Sequence, residues 1–160
     1  MHVSLKEFIE TMDMVGDLSS AYLNTITGKM EVLTMDEMAI ESAESGIWGE
    51  PKDWEKEQIA MAKEVLFSGD WEAMPDPHEI NDYKIMRDYC FSVENERIQD
   101  ELLDAIRGRG AFRRFRDLVN HYNLLDDWYS FKYEAYKYVA TGWLDFYEIP
   151  YEDDTATSPR

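Results

Sequence analysis

The sequence has 160 residues, of which 44% are hydrophobic and 14% aromatic, and its formal net charge is -18. A chain of this length suffices for one folded domain, and its apolar content excludes a disordered protein in spite of the charge. The acidic excess opposes diffuse binding to nucleic acid or to an anionic membrane, so any contact with a polyanion has to be local.

Cysteine content and hydropathy bear on the compartment. The one cysteine, Cys90, cannot form an internal disulfide or, by itself, a thiolate metal site. The longest run of hydrophobic residues, 59–62, is far shorter than the about 20 residues that span a membrane. Residues 1–7 lack the apolar segment of a signal peptide. These features predict a cytoplasmic protein without membrane contact.

The N-terminal third predicts a helix followed by a β-hairpin. Ser4 and Glu7 form a capping box, and apolar residues recur behind it at helical spacing as far as Gly16. The period then changes to that of β-strands, with Gly28 supplying the positive φ that a short loop needs. We therefore expect a two-stranded hairpin at about residues 20–33.

Two helices are predicted next. A second capping box, Thr34 to Glu37, opens a short helix that reaches about Ser45. Pro51 starts a longer helix, and Gly69 ends it.

A further helix is predicted to begin at Asp76, with Pro in its first turn and Glu79 behind it. Its inner stripe is formed by Ile80, Tyr83, Met86 and Cys90. Arg87 falls inside this stripe on the helical wheel, so we expect it to form an internal ion pair.

The C-terminal third predicts three more helices. The first runs from about Asn95 to Arg107 and ends at Gly108, and the second runs from near Gly110 to Asn123. A long final helix begins at the acids 126–127, which suit its positive N-terminal dipole. Residues 150–160 are expected to form a flexible acidic tail.

The predicted fold is therefore mainly α (α+β): an irregular helical bundle with one N-terminal β-hairpin, forming a single domain over residues 1–149. The final helix carries nine aromatic residues between Trp128 and Tyr147. A core face needs only part of them. The others either pack against neighbouring helices of the same chain or form an interface with a second copy or a protein partner.

One segment concentrates positive charge. Five of the 16 Lys and Arg residues fall within ten positions, at Arg107, Arg109, Arg113, Arg114 and Arg116. Arg109 stands between Gly108 and Gly110 at a tight turn between helices, so its side chain is expected to project freely. Guanidinium groups, the free amides that start the next helix and the helix dipole can together bind an anion.

The helical wheel separates these arginines. It places Arg116 beside the apolar stripe and Arg114 on the far side of the helix. The candidate anion-binding set is therefore Arg107, Arg109 and Arg113, with Gly108 and Gly110 shaping the turn.

Internal ion pairs are the alternative interpretation of the same arginines. Acids close in the sequence can bind them, and Arg87 and Arg116 are the arginines placed nearest to apolar positions. The acids assigned to such structural pairs are Asp117, Asp126 and Asp127, with Glu101 and Asp104 also near. Both interpretations remain open from the sequence.

Other chemistry has little support. His2, His78 and His121 form no metal-binding pattern, and Cys90 on an inner stripe is typical of a core residue. No catalytic motif and no cofactor-binding motif is found. The missing motifs favour a protein that is not an enzyme but do not decide the question. The sequence predicts no metal and no cofactor.

Three classes of function therefore fit. The preferred one is a cytosolic binding or regulatory module whose turn at Gly108–Gly110 binds an anionic ligand or partner. The second is a protein linked to nucleic acid or nucleotides, either an enzyme or a binding protein, which uses the turn to bind phosphate. The third is a structural homodimer whose arginines serve internal salt bridges.

With these stretches in view, the chain resembles a bacterial family of unknown function, uncharacterised protein family 0158. The resemblance covers roughly residues 3–147 and rests on Tyr22-Leu-Asn24 with Thr27-Gly28, on His78 to Tyr83 with Ile85-Met86 and Asp88, and above all on Ile98 to Phe115 with Asp126-Asp-Trp-Tyr129. The chain departs from the family pattern at residues 48–71 and in its last ten residues, and Arg87 stands where an acid is expected. The resemblance implies no activity, cofactor or catalytic residue.

Overall fold

Residues 1–157 are described by a computed structural model, apart from the side chains of residues 78 and 157. The fold is mainly α-helical with a small amount of β-sheet, as predicted. The chain divides into two compact units, and the single domain predicted over residues 1–149 stays a prediction. The first unit comprises residues 1–79 with 140–157, and the second comprises residues 80–139.

The elements follow one another along the chain in the order β1 (Val3–Ser4), α1 (Leu5–Met14), β2 (Ser20–Asn24), β3 (Met30–Leu33), α2 (Glu37–Glu44), α3 (Asp53–Phe67), β4 (Trp71–Ala73), α4 (Pro77–Ile80), α5 (Asp82–Ser92), α6 (Glu96–Ala105), α7 (Ala111–His121), α8 (Leu125–Phe146) and β5 (Tyr151–Glu152). A 3-10 turn, Thr155–Thr157, follows β5.

The sheet of the first unit contains the predicted hairpin and one further strand. Strands β2 and β3 pair antiparallel, and β4 pairs antiparallel with the other edge of β2, which gives the order β3-β2-β4. One face of the sheet is covered by α2 and α3, in a buried cluster formed by Leu33, Ile40, Ile59, Ala62, Val65 and Trp71. A hairpin alone is only marginally stable, so β4 and this cluster are what hold it.

The start of α2 lies two residues later than the capping box predicts. The carboxylate of Asp36 accepts a hydrogen bond from the amide of Ala39 at 2.8 Å, and the helix begins at Glu37. Thr34 precedes the cap and does not form it. Because Asp and Thr are both good caps, the sequence alone offers two overlapping starts.

The C-terminal segment pairs with the start of the chain. Strand β5 lies parallel to β1, and the Ser4 hydroxyl, which caps α1 as predicted, also donates to the Asp154 carboxylate at 2.5 Å. The amide of Lys6 donates to the other oxygen of Asp154 at 2.8 Å. The segment predicted as a flexible tail, 150–160, thus contains a strand that the sequence pattern misses, and its residues 158–160 lie outside the described part.

These two donors lower the pKa of Asp154, with the Ser4 hydroxyl as the main cause. A carboxyl whose folded-state pKa is lowered stabilises the fold above its unfolded value of about 4, and this contribution disappears as the pH falls through the folded value. We therefore expect Asp154→Asn to lower the urea midpoint of unfolding at pH 7 and to differ less from the wild type at pH 3. Glu152→Gln, an exposed acid in the same segment, is the control and should have no effect at either pH. An equal loss for Asp154→Asn at both pH values would contradict this account.

The core of the second unit lies between α5, α6 and α7. Its buried residues are Met86, Tyr89, Cys90, Leu102, Ile106, Ala111, Phe115 and Val119. The predicted helices from Asn95 and from near Gly110 are both present, with Asn95 capping α6 through the amide of Ile98. Burial raises the pKa of Cys90 to about 11, so its thiol is a core group as predicted.

The helix predicted to run through Ile80 and Tyr83 is interrupted. Asn81 adopts a left-handed conformation (φ 51°), and its side chain caps a new helix, α5, by accepting from the amide of Lys84. The break rotates the buried stripe to Ile85, Met86, Tyr89 and Cys90. The prediction that Arg87 lies inside this stripe is therefore wrong, because Arg87 is exposed to solvent.

Helix α8 divides its aromatic residues between burial and exposure. Trp128 and Phe131 pack edge-on against Tyr89 in the core of the second unit. Tyr138 and Phe146, by contrast, are 82% and 79% exposed. The homodimer predicted from this helix stays a prediction. None of the helices within residues 1–157 has the length and apolarity to cross a membrane.

Candidate anion-binding site

The arginine-rich segment forms a tight connection between two helices of the second unit. Helix α6 ends at Ala105 and α7 begins at Ala111. Between them Gly108 and Gly110 have φ values of 72° and 74°, a region that other residues enter only with strain. Gly108 has the left-handed conformation predicted for it, but α6 ends at Ala105, three residues before it, and a second left-handed glycine, Gly110, follows.

Arg114 holds this connection together. Its Nε donates to the carbonyl oxygen of Ala105 at 2.9 Å, and its two terminal nitrogens donate to the carbonyl oxygens of Arg107 and Arg109. A guanidinium presents its donors in a rigid planar fork, so one side chain can satisfy three carbonyls that a turn brings to one place. The prediction that Arg114 lies away from the turn is wrong, because the two left-handed glycines fold the chain back over the first turn of α7.

A tyrosine completes the end of α6. The hydroxyl of Tyr83, on α5, donates to the carbonyl oxygen of Ile106 at 3.1 Å. The last carbonyls of a helix lack partners within the helix, and here two side chains from other elements provide them. The connection is therefore held by hydrogen bonds from Arg114 and Tyr83 to its backbone carbonyls.

The other arginines of the turn point into solvent. We call Arg107, Arg109 and Arg113 the arginine corner. All three are exposed. Arg107 lies 4.0 Å from Asp104, with both side chains more than 80% exposed, so this pair contributes little to stability. The side chains of Arg109 and Arg113 make no hydrogen bond or ion pair within residues 1–157.

The residues predicted to form structural ion pairs have other surroundings. Arg116 donates to the hydroxyl of Tyr129 at 3.0 Å, and Asp127 accepts from the hydroxyl of Tyr89 at 2.8 Å. Burial, and then this bond to Asp127, raise the pKa of Tyr89. Within the described part of the chain, Arg87, Asp117 and Asp126 lie in no ion pair. The structure thus does not bring these residues together with the arginine corner.

Two exposed rings flank the turn. Tyr83 and Phe112 are 42% and 52% exposed and meet edge to face, with 6.4 Å between ring centroids. Phe112 directly precedes Arg113 in α7, and Tyr83 is bound to the end of α6. Aromatic surface therefore lies beside the arginine corner, a juxtaposition that the sequence pattern misses because Tyr83 is predicted to be buried.

A groove of about 700 Å³ between α6 and α7 borders the turn on its other side. It is lined by charges of both signs, including Arg97, Glu101 and Asp117. Glu101 accepts from the hydroxyl of Tyr122, and this bond raises the pKa of Tyr122. The groove has no excess of positive charge, so the arginine corner is the better place for an anion.

The two glycines of the turn should differ in their tolerance of a side chain. A Cβ at Gly110 would lie 3.1 Å from a terminal nitrogen of Arg114, whereas a Cβ at Gly108 would meet open space. Both Ala variants carry the strain of a positive φ, about 1–2 kcal/mol, and Gly110→Ala also displaces Arg114. We expect Gly110→Ala to lower the free energy of unfolding more than Gly108→Ala, as measured by urea denaturation. Equal losses would contradict the role assigned to Arg114.

Comparison with known proteins identifies a family. Residues 70–156 match the family model described as Uncharacterised protein family (UPF0158), a range that includes α5 to α7 and the whole turn. No curated protein and no solved structure matches the chain.

Proposed function

The chain belongs to Uncharacterised protein family (UPF0158), and because this description names no activity, we propose from the site geometry that the protein is a binding module for a phosphate-rich anion. The ligand binds at the arginine corner. The proposal rests on one observation: Arg114 and Tyr83 hold the turn by binding its backbone carbonyls, which leaves the side chains of Arg107, Arg109 and Arg113 exposed.

The chemistry of the exposed groups supports a phosphate ligand. A guanidinium donates two parallel hydrogen bonds to one phosphate, and it keeps its charge at all physiological pH values. Arg107 and Arg109 start from the same small loop, since both of their carbonyls bind Arg114. Because the chain has a net charge of -18, most of its surface repels an anion, and binding is favoured where cationic side chains are concentrated.

A titration with inorganic tripolyphosphate, followed by calorimetry at low salt, tests this proposal. We expect Arg109→Ala to weaken binding about tenfold, the effect of one lost charge-assisted contact. Arg87→Ala is the matched control, because Arg87 is also exposed, lies in the same unit and has no ion pair with a described residue. Equal binding by the two variants, or no binding by the wild type, would overturn the proposal.

Single-stranded nucleic acid is a second candidate ligand, favoured by the exposed rings beside the corner. Tyr83 and Phe112 offer aromatic surface next to arginines, and bases stack on such rings while the arginines bind the backbone. Stacking contributes about 1–3 kcal/mol per base.

One pair of binding measurements distinguishes the two candidate ligands. With a single-stranded RNA oligonucleotide, Phe112→Ala should weaken binding about tenfold, whereas its tripolyphosphate affinity should be unchanged. Phe91→Ala serves as the control, since Phe91 is 60% exposed and does not flank the turn. If Phe112→Ala leaves RNA affinity unchanged, the nucleic-acid candidate fails and the phosphate proposal stands alone.

A further inference from the structure

The sheet of the first unit has a free outer edge at β3. Asn24 donates to the carbonyl of Lys29, whereas Ala21 accepts from Met74 and Thr25 donates to Asp70. Even-numbered residues of β2 therefore bond to β3, and odd-numbered ones bond to β4. Hydrogen-bonded and non-bonded residue pairs alternate in an antiparallel ladder. The residues of β3 that pair with Leu23 and Ala21 therefore direct their backbone amides and carbonyls away from β2.

The outward groups belong to Met30 and Val32, which pair with Leu23 and Ala21. They present two amides and two carbonyls on the same edge, two residues apart, which is the spacing at which an added strand forms its ladder. An edge of this kind is either protected in a native protein or used for pairing with another chain.

A groove borders the second half of this strand. It encloses about 380 Å³ between helix α3 and residues Glu31–Met35, of which Thr34 and Met35 follow the end of β3. The helix wall is formed by Trp54, Glu57, Gln58, Met61 and Ala62. Trp54 is 57% exposed, so a large apolar side chain lies uncovered at the groove.

We propose that this groove binds an extended peptide segment of a partner protein, which adds a strand to β3 and lays alternate side chains against α3. Backbone bonds to Met30 and Val32 hold the segment, and Trp54 and Met61 contact its apolar side chains. This site is separate from the arginine corner and does not depend on the proposed function.

The acidic residues of the groove favour a bound segment that contains basic residues. Glu57 lines the groove and has no ion pair with a described residue, whereas Glu31 already lies 3.3 Å from Lys29. A Lys or Arg side chain of the segment therefore binds Glu57, between apolar neighbours on the strand. A second copy of the chain is disfavoured as the occupant, because it would bring the same acids and a net charge of -18 to the groove.

The backbone contact can be removed without disturbing the sheet. In Val32→Pro the lost amide is one that faces outward, a position at which proline is tolerated on an edge strand. Val32→Thr keeps that amide and the branched shape, so it is the matched control. On the helix wall, Glu57→Lys reverses the selecting charge, and Glu64→Lys makes the same change on α3 outside the groove.

The test uses a phage-displayed library of random linear dodecapeptides, selected on the wild-type protein and measured as synthetic peptides by calorimetry. We expect enriched peptides to alternate apolar and basic residues, and to bind Val32→Pro and Glu57→Lys at least about tenfold more weakly than the wild type. The two control variants should bind like the wild type. Absence of any enriched sequence, binding by Val32→Pro or Glu57→Lys that equals binding by the wild type, or a dimer that Val32→Pro dissociates would overturn the proposal.

Discussion

The triple variant Arg107→Ala, Arg109→Ala, Arg113→Ala should lose binding to single-stranded RNA, used as a phosphate-rich polyanion, by on the order of 100-fold at low salt. Each arginine that contacts a phosphate releases a counterion, and each such contact contributes about 0.7 to the slope of log affinity against log salt for single strands. The slope of the wild type should therefore exceed that of the variant by about 2. Fluorescence anisotropy of a labelled oligonucleotide across a salt series measures both quantities.

A second triple variant controls for net charge. Lys84→Ala, Arg87→Ala, Arg97→Ala removes the same three charges from the same unit, at side chains that do not belong to the arginine corner. Its affinity should fall only slightly, through the weak long-range part of the field. If both triple variants lose affinity equally, the arginine corner has no special role and binding is diffuse.

Arg114→Ala should lower the free energy of unfolding by about 2 kcal/mol, the largest effect on stability that we expect for any arginine of the turn. The substitution leaves the carbonyls of Ala105, Arg107 and Arg109 without their donor. This loss in free energy lies near the lower end of the range for hydrogen bonds to a charged group. Arg114 is exposed, so water can form part of the lost hydrogen bonds to the carbonyls. Urea denaturation followed by circular dichroism measures the change.

Two variants sharpen this prediction. Arg113→Ala, one residue away, removes the same charge from an exposed side chain and should change stability by less than about 0.5 kcal/mol. Arg114→Lys keeps the charge but not the planar fork, so it should recover only a small part of the loss. If Arg114→Lys is as stable as the wild type, the charge and not the geometry of the guanidinium stabilises the turn.

Much of the helical framework follows from local sequence. Ser4 and Asn95 cap the helices that the pattern predicts, and the glycines 108 and 110 separate α6 from α7 as expected. These features depend on a few neighbouring residues, so the sequence carries their full signal. The strands β4 and β5 do not: each has at most three residues and exists through pairing with a strand distant in the chain.

The hydrogen bonds inside the turn could not be predicted from neighbouring residues alone. A helical wheel gives the direction of Arg114 from the axis of α7, but its partners are carbonyls of the preceding chain. Their positions depend on two left-handed glycines, which the wheel does not include. In the same way the left-handed Asn81 rotates α5, and this brings Tyr83 to the surface of the turn and Arg87 to solvent. The projection of Arg109 from the turn could be predicted, whereas the bonds of Arg114 to the turn carbonyls could not. The anion-binding role of Arg107, Arg109 and Arg113 stays a prediction.

The most direct test of this anion-binding role is a thermal unfolding measurement with and without inorganic tripolyphosphate. We expect the wild type and the variant Arg107→Ala, Arg109→Ala, Arg113→Ala to unfold at the same temperature without ligand. Ligand at about 100 times its dissociation constant for the wild type should stabilise the wild type by about 2.7 kcal/mol and the variant by less than about 0.5 kcal/mol. A variant that already unfolds at a markedly lower temperature without ligand, or a wild type that does not respond to it, would contradict the claim that these arginines are held free for an external anion.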